Sequence, residues 1–213
     1  MKKYQAYLFD MDGTLVNSEP LKGQALALAC KEYNADVDYH IYQQVMGEDW
    51  ATVTQHFFDY ADIEPDFTEF NAHFRRHYER LLEEKLSLNI GAREYIEQLN
   101  QRGLACAVVS SAANWMVDKI LQQLDLTAQF QVIIGREDVT KHKPDPQAYL
   151  LALERLGVKA EQAVIFEDSE AGLKAGLAAN CDVVAIAHEF NQRHRFERAT
   201  AHVADFRLLL QKK

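Results

Sequence analysis

The segment YQAYLFDMDGT, residues 4–14, is an apolar-rich strand that ends in two acids followed by a Gly-Thr pair. Asp10 and Asp12 are separated by one residue, so both carboxylates can face the same side of an extended chain. Gly13 permits a sharp turn behind them. Two neighbouring acids repel each other unless a cation lies between them. Because such a pair suits a hard, oxygen-ligated ion, the segment predicts a Mg²⁺ site at the end of the first strand.

Similar short apolar runs recur along the chain. They cover residues 104–109, 131–134, 163–166 and 182–186. Segments with helical periodicity lie between them, at residues 114–124, 146–156 and 170–179. This alternation predicts an α/β fold, a Rossmann-like parallel sheet with helices on both faces. Sheets of this kind bind ligands at the carboxyl ends of their strands.

The stretch between the first strand and residue 88 breaks the alternation. It contains no convincing strand, and helical periodicity covers residues 19–33, 49–60 and 66–85. We therefore predict an inserted all-helical cap domain at residues 17–87, with residues 1–16 and 88–213 forming the α/β catalytic core. An insert at this point is expected to act as a lid over the active edge of the sheet.

A second acidic pair, Glu167 and Asp168, follows the apolar run at residues 163–166. Taken alone, the pair could be an isolated acidic turn, with Ser169 as the N-cap of the next helix. At the end of a core strand, however, the pair is suited to complete a carboxylate cage with the first motif.

Two further strand ends carry polar residues that suit a phosphate group. Ser110, Ser111 and Asn114 lie where a strand runs into a helix, and small hydroxyl residues with exposed N–H groups can bind phosphate there. Taken alone, these residues are better explained as the N-terminal cap of the following helix. Lys143 lies in a loop with two prolines, which could aim it inward, although a lone lysine is usually solvated.

Taken together, the four strand ends present an acid pair, a hydroxyl, a lysine and a second acid pair in chain order. This pattern resembles the haloacid dehalogenase superfamily, whose members use an aspartate nucleophile. Residues 10–14 are similar to its first motif, Ser110 to its second, Lys143 to its third and Glu167-Asp168 to its fourth. The helical insert resembles the small-capped subgroup, which includes sugar phosphatases, phosphoglycolate phosphatase, β-phosphoglucomutase and phosphonoacetaldehyde hydrolase.

The resemblance implies a phosphoric monoester hydrolase in which Asp10 is the nucleophile and Asp12 the general acid and base. It implies that Ser110 and Lys143 hold the phosphoryl oxygens, with Ser111 and Asn114 nearby. Mg²⁺ is the implied cofactor, and its implied ligands are Asp10, the backbone carbonyl of Asp12, Asp168, and Glu167 directly or through water. The expected function is hydrolysis of a small phosphorylated metabolite through an aspartyl-phosphate.

Three alternatives stay open. The first is a β-phosphoglucomutase-type phosphotransferase, in which a histidine lies twelve residues after the nucleophile. Lys22 occupies that position here, and residues 45–50 are acidic where the mutase has a cation, which opposes binding of a bisphosphate. The second is a phosphonate hydrolase, which would need a Schiff-base lysine; Lys22 and Lys31 are the helix lysines available. The third is a catalytically silent phosphate-binding or partner-binding protein.

The composition of the chain limits the other functional classes to which it could belong. The 213 residues are 48% hydrophobic and 26% charged, as in globular proteins, and the net charge of −9 argues against nucleic acid as a partner. We expect no signal peptide, membrane segment or obligate protein partner. Cys30, Cys106 and Cys181 are widely spaced in apolar surroundings, which predicts buried reduced thiols and a cytoplasmic location.

Overall fold

The computed structural model describes residues 3–210. The chain forms two compact units. The core unit contains the chain up to Val16, Leu88–His188 and the segment from His194 onward. The helical unit contains Asn17–Ser87 and Glu189–Arg193. Segment 189–193 therefore joins a unit to which the sequence did not assign it, and the role of the helical unit as a lid stays a prediction.

Six strands form the sheet of the core unit, all paired in parallel in the order β3-β2-β1-β4-β5-β6. They are β1 (Ala6–Phe9), β2 (Ala105–Val109), β3 (Val132–Ile134), β4 (Ala163–Glu167), β5 (Asp182–Ile186) and β6 (Ala201–Val203). The predicted α/β fold with a parallel sheet is confirmed. Strand β6 was not predicted, because it is a three-residue edge strand without an apolar run.

The described residues also form seven α-helices, along with short 3-10 helices. Those of the helical unit are α1 (Glu19–Lys31), α2 (Trp50–Ala61) and α3 (Phe67–Lys85). Those of the core unit are α4 (Ala92–Gln101), α5 (Asn114–Gln123), α6 (Gln147–Leu156) and α7 (Glu170–Ala178). The helices of both units begin and end within a few residues of the predicted positions, except α4, which was not predicted.

Helices cover both faces of the sheet, as alternate residues of β1 show. Leu8 belongs to a buried cluster with Ala152 of α6 and Leu173 of α7. Phe9 faces the opposite side, where its ring lies 6.4 Å from that of Tyr95 of α4. Because successive strand residues point to opposite faces, α4 lies on one side of the sheet and α6 and α7 on the other. The sheet is therefore buried on both faces, as is typical of parallel strands.

The helical unit has its own apolar core. Helix α1 packs against α2 and α3, and the buried residues include Leu26, Phe57 and Phe70. Segment 189–193 contributes Phe190, which is only 3% exposed and contacts the rings of Tyr39, His40 and Tyr42. Burying a phenylalanine in this way contributes about 1.5–3 kcal/mol, so Phe190 anchors the segment in this unit.

The three cysteines are buried free thiols, as predicted. Cys30 lies on α1 in the helical unit, and Cys106 lies on β2 in the core unit. Cys181 precedes β5, also in the core unit. Within residues 3–210, none of the helices combines the length and apolar character needed to cross a membrane.

Candidate active site

The carboxyl ends of three adjacent strands bring the predicted site residues to one edge of the sheet. In the parallel register, Phe9 of β1 aligns with Val108 of β2 and with Phe166 of β4. Asp10, the residue after β1, is therefore level with the ends of β2 and β4. Its backbone N–H donates to the Phe166 carbonyl at 3.0 Å, which holds it against β4. Asp10 is only 7% exposed.

Lys143 reaches this edge from the loop before α6. Its Nζ lies 2.5 Å from Asp10 Oδ1 and 2.7 Å from Glu167 Oε1, and it also donates to the Val109 carbonyl at 3.0 Å. Burial alone would lower the pKa of Lys143, but the carboxylates of Asp10 and Glu167 outweigh burial and hold its pKa above the usual lysine range. Lys143 is therefore a buried ammonium group held between Asp10 and Glu167.

Glu167 is completely buried and accepts five hydrogen bonds. Oε1 accepts from Lys143 and from the Tyr149 hydroxyl at 2.7 Å. Oε2 accepts from the Asp168 N–H, and from the N–H and hydroxyl of Ser169, at 3.0–3.2 Å. A carboxylate held by so many donors is fixed in orientation. Glu167 therefore acts as the counter-ion that fixes Lys143, and its predicted metal contact stays a prediction.

The glycine at position 172 makes room for this carboxylate. A Cβ atom on Gly172, in the first turn of α7, would lie only 1.8 Å from Glu167 Oε1. Ser169 caps the same helix by accepting a hydrogen bond from the Gly172 N–H at 3.0 Å. The capping role considered for Ser169 is thus present, and the same residue also bonds Glu167.

Three buried carboxylates form a group that could hold a metal ion. Among the described residues, Asp10, Glu167 and Asp168 offer oxygens that all lie within 4.8 Å of one another. Burial raises the pKa of Asp10 well above its usual range; Lys143 opposes this effect, while Glu167 and Asp168 add to it. Because three carboxylates face one ammonium, the group carries excess negative charge, and this oxygen-only donor set fits Mg²⁺.

Asp168 is 2% exposed, and contacts from two neighbouring residues reach its two oxygens. The Thr14 hydroxyl donates to Oδ1 at 3.2 Å, and His188 Nε2 lies 2.9 Å from Oδ2. Neither Thr14, His188 nor Tyr149 was singled out from the sequence as a site residue. Their partners lie 154, 20 and 18 residues away in the chain, and local patterns carry no signal for such pairs.

The loop after Asp10 is held by its own hydrogen bonds and by Asn89. Gly13 has φ +75°, a left-handed conformation that glycine adopts without strain. Asn89 Nδ2 donates to the carbonyls of Gly13 and Thr14 at 2.7 and 2.6 Å. Asp12 is half-buried in this loop, and its carboxylate is outside the group of three. Its acid–base role and its carbonyl contact with metal stay predictions.

The predicted phosphate-binding residues lie beside the end of β2. Ser110 is 3% exposed, and its hydroxyl accepts a hydrogen bond from the Ala112 N–H at 3.0 Å. Ser111 is exposed. Asn114 Nδ2 donates to Asp138 at 3.1 Å, and its backbone N–H donates to Glu137 at 2.7 Å. Asn114 thus ties α5 to residues 136–138, and the substrate contacts of all three residues stay predictions.

The residues at the start of α1 form a polar cluster within the helical unit. Glu19 is 4% exposed and accepts from the Tyr42 hydroxyl and from Lys22 Nζ, both at 2.7 Å. Ser18, the residue just before α1, makes no side-chain capping hydrogen bond. Lys22, which stands where the mutase has histidine, is therefore paired with an acid of its own helix.

The chain is similar to known proteins over most of its length. The phosphorylated carbohydrates phosphatase of Thermotoga maritima is 30% identical over 188 residues, covering 88% of this chain and 87% of the relative. Hexitol phosphatase A of Escherichia coli K12 is 31% identical over 185 residues, covering 85% and 82%. The crystal structure of a candidate β-phosphoglucomutase from Thermotoga maritima matches with a TM-score of 0.81 at 29% identity, covering 93% of this chain and 94% of that one.

The family assignment rests on a match over most of the chain. The model of the haloacid dehalogenase-like hydrolases matches residues 7–186, a span that runs from β1 to the end of β5 and includes all four predicted strand-end motifs. With the buried Asp10, Lys143 and Asp168 at one edge of the sheet, these findings confirm the family that the motifs predicted: the chain belongs to the haloacid dehalogenase-like hydrolases.

Proposed function

We propose that this protein is a Mg²⁺-dependent phosphatase that hydrolyses a small phosphorylated metabolite through a phospho-aspartate on Asp10. The observation that carries the proposal is the pairing of Asp10 with Lys143 Nζ at 2.5 Å inside a group of three buried carboxylates. An aspartate serves as a nucleophile for phosphorus only if charge repulsion from the incoming phosphate is offset. Lys143 and a bound cation would together supply that offset.

In the proposed mechanism, a carboxylate oxygen of Asp10 attacks phosphorus, and the bond from phosphorus to the leaving oxygen breaks. Asp12 gives its proton to the departing alkoxide, which leaves as an alcohol. Water then attacks phosphorus while Asp12 takes a proton from it; the bond between phosphorus and the Asp10 oxygen breaks, which releases inorganic phosphate and restores the Asp10 carboxylate. Such proton transfer typically contributes about 10²–10⁴-fold to the rate. Ser110 and Lys143 would hold the phosphoryl oxygens, with Ser111 and Asn114 nearby.

The residues proposed to hold Mg²⁺ are Asp10, Asp168 and the carbonyl of Asp12, with Glu167 as a direct or water-mediated ligand. When bound, Mg²⁺ neutralises negative charge on the phosphoryl group and on the surrounding carboxylates. The protein's own contribution is a buried set of oxygens whose orientation is fixed before metal arrives, through Thr14 and His188 at Asp168 and through five donors at Glu167.

The substrate class follows from the relatives. Two of them carry names that specify phosphatases of phosphorylated carbohydrates and hexitol phosphates. We therefore propose a free phosphorylated sugar or similar monoester as substrate, with no nucleic acid, membrane or obligate protein partner, and a cytoplasmic location. The mutase alternative has support in the β-phosphoglucomutase description of the matched structure. The Lys22–Glu19 ion pair favours hydrolysis instead, because it leaves that lysine partly neutralised.

The nucleophile is tested by replacing Asp10 with asparagine and measuring hydrolysis of p-nitrophenyl phosphate. Asp10→Asn should reduce turnover by at least about 10³-fold, because the amide is a poor nucleophile. Asp36→Asn, which changes an 85%-exposed carboxylate in the helical unit, is the matched control and should retain wild-type activity. Activity near wild type in Asp10→Asn would remove Asp10 as nucleophile. Turnover of any monoester by the wild type would eliminate the silent-protein alternative.

The metal and the substrate are tested together. Chelation should abolish activity, and titration with Mg²⁺ should restore it; an enzyme indifferent to both would contradict the carboxylate site. A panel of phosphorylated sugars and sugar alcohols, assayed for released phosphate, identifies the substrate. β-Glucose 1-phosphate belongs in the same panel, because its conversion to the 6-phosphate without phosphate release would select the mutase alternative.

A further inference from the structure

His188 lies at the end of β5, on the strand that neighbours β4 on the side away from β1. The register pairs Glu167 with Ala185, so the chain beyond β5 continues alongside Asp168. His188 Nε2 lies 2.9 Å from Asp168 Oδ2, and the imidazole is 21% exposed. An ionised carboxylate has no proton to donate, so Nε2–H is the donor in this contact.

The two oxygens of Asp168 are held from both neighbouring strands. Thr14, in the loop after β1, donates to Oδ1 at 3.2 Å, and His188 at the end of β5 donates to Oδ2. Because β1 and β5 flank β4, these donors approach the carboxylate from opposite sides and fix its plane. A carboxylate oxygen has more than one acceptor position, so a hydrogen bond to it does not by itself prevent the same carboxylate from binding a metal ion.

We propose that His188 is a positioning residue for the metal site: its Nε2–H holds Asp168 in the orientation that binds Mg²⁺. This inference rests on the proposed function. Donors behind ligating groups typically change metal affinity by about 10–100-fold when removed. The role requires only an N–H at the position of Nε2, so an amide donor of similar reach can replace the ring.

The backbone around His188 supports this role. Ile186, two residues earlier, is the last residue of β5 and is 1% exposed, and the Ala187 N–H donates to the Val203 carbonyl of β6 at 2.9 Å. A residue close to an anchored strand end loses little further freedom when it forms its hydrogen bond, so the conformational entropy lost at His188 is small.

The test compares Mg²⁺ binding, measured by calorimetry, among variants of the full-length protein. His188→Met and His188→Gln have similar length, but only glutamine keeps an N–H donor. We expect His188→Met to weaken Mg²⁺ binding about tenfold or more and His188→Gln to bind within about threefold of wild type. His202→Ala, which removes an exposed imidazole from β6 in the same unit, is the control and should bind as wild type.

Phosphatase kinetics separate positioning from a general structural role. For His188→Met, the Mg²⁺ concentration at half-maximal rate should rise as the calorimetric Kd does, while kcat at saturating Mg²⁺ stays within about threefold of wild type. Equal Mg²⁺ affinity in wild type and His188→Met, or tighter binding in the variant, would overturn the inference. The inference would also be overturned if the methionine and glutamine variants lost Mg²⁺ affinity to the same extent. If the wild type did not bind Mg²⁺ at all, both this inference and the proposed function would be overturned.

Discussion

Replacing Gly172 with alanine tests the close packing between α7 and Glu167. In an ordinary helix, this change stabilises the protein by about 1 kcal/mol, because glycine is the weaker helix former. Here the new methyl group would lie 1.8 Å from Glu167 Oε1 and 1.9 Å from its Cδ. Separations below 3 Å are not tolerated, so the carboxylate has to move away from the donors that hold it.

The size of the effect follows from the hydrogen bonds that would be lost. Each hydrogen bond to a charged group contributes about 1.5–3 kcal/mol, and Glu167 accepts five. Losing two costs about 3–6 kcal/mol, which exceeds the helix gain of about 1 kcal/mol. We therefore expect Gly172→Ala to lower the free energy of unfolding by about 2–5 kcal/mol. Phosphatase activity should also fall, because Lys143 loses its buried counter-ion.

The measurement is urea denaturation followed by far-UV circular dichroism, with p-nitrophenyl phosphate hydrolysis on the same samples. Gly103→Ala is the matched control: it introduces the same methyl group at a position with no atom within 4 Å, although with φ +68°. In the control, the free energy of unfolding should fall by only about 1 kcal/mol, because alanine is disfavoured in the left-handed backbone conformation. Phosphatase activity should be unchanged. If Gly172→Ala were as stable and active as wild type, the close approach of Glu167 to α7 would be refuted.

Three further changes test other contacts. Tyr149→Phe removes a donor to buried Glu167 and should lower the free energy of unfolding by about 1.5–3 kcal/mol in urea denaturation; an unchanged value would contradict that contact. Asn89→Ala removes two hydrogen bonds to the loop after Asp10 and should lower the free energy of unfolding by about 2 kcal/mol. The kcat of the phosphatase reaction should fall as well. Phe190→Ala should lower the free energy of unfolding by about 3–5 kcal/mol, detected as an earlier unfolding transition of Trp50 fluorescence in a Trp115→Phe background, in which Trp50 of the helical unit is the remaining tryptophan; an unshifted transition would show that Phe190 does not anchor segment 189–193.

The sequence was sufficient to predict the parallel sheet and to bring Asp10, Lys143 and Asp168 to one of its edges. Buried parallel strands are continuous apolar runs, so the acid pair after the first strand stood out from local pattern. Lys143 gave only a weak signal by itself and was identified together with the other three strand ends. Helix α4 could have been found in the same way, since Ala92, Ile96 and Leu99 repeat at helical spacing and are buried.

The remaining features depend on topology and have no local signal. Tyr149 reads as one more apolar residue of α6, and only the folded chain places its hydroxyl on Glu167. Likewise, segment 189–193 is polar in composition, so nothing in the sequence indicated that Phe190 packs among the rings of the helical unit. Strand β6 has a half-buried pattern over three residues, which is too short for periodicity to identify.

The three buried cysteines provide each unit with a chemical reporter of its own. Burial raises the pKa of the Cys30 thiol to about 11 and that of Cys106 to about 12, so at pH 8 both stay protonated. A thiol-alkylating reagent therefore modifies either one only when the surrounding structure opens. Mass spectrometry of digested samples would assign modification of Cys30 to opening of the helical unit and modification of Cys106 or Cys181 to opening of the core unit. The local stabilities of the two units can thus be measured separately in the unaltered protein.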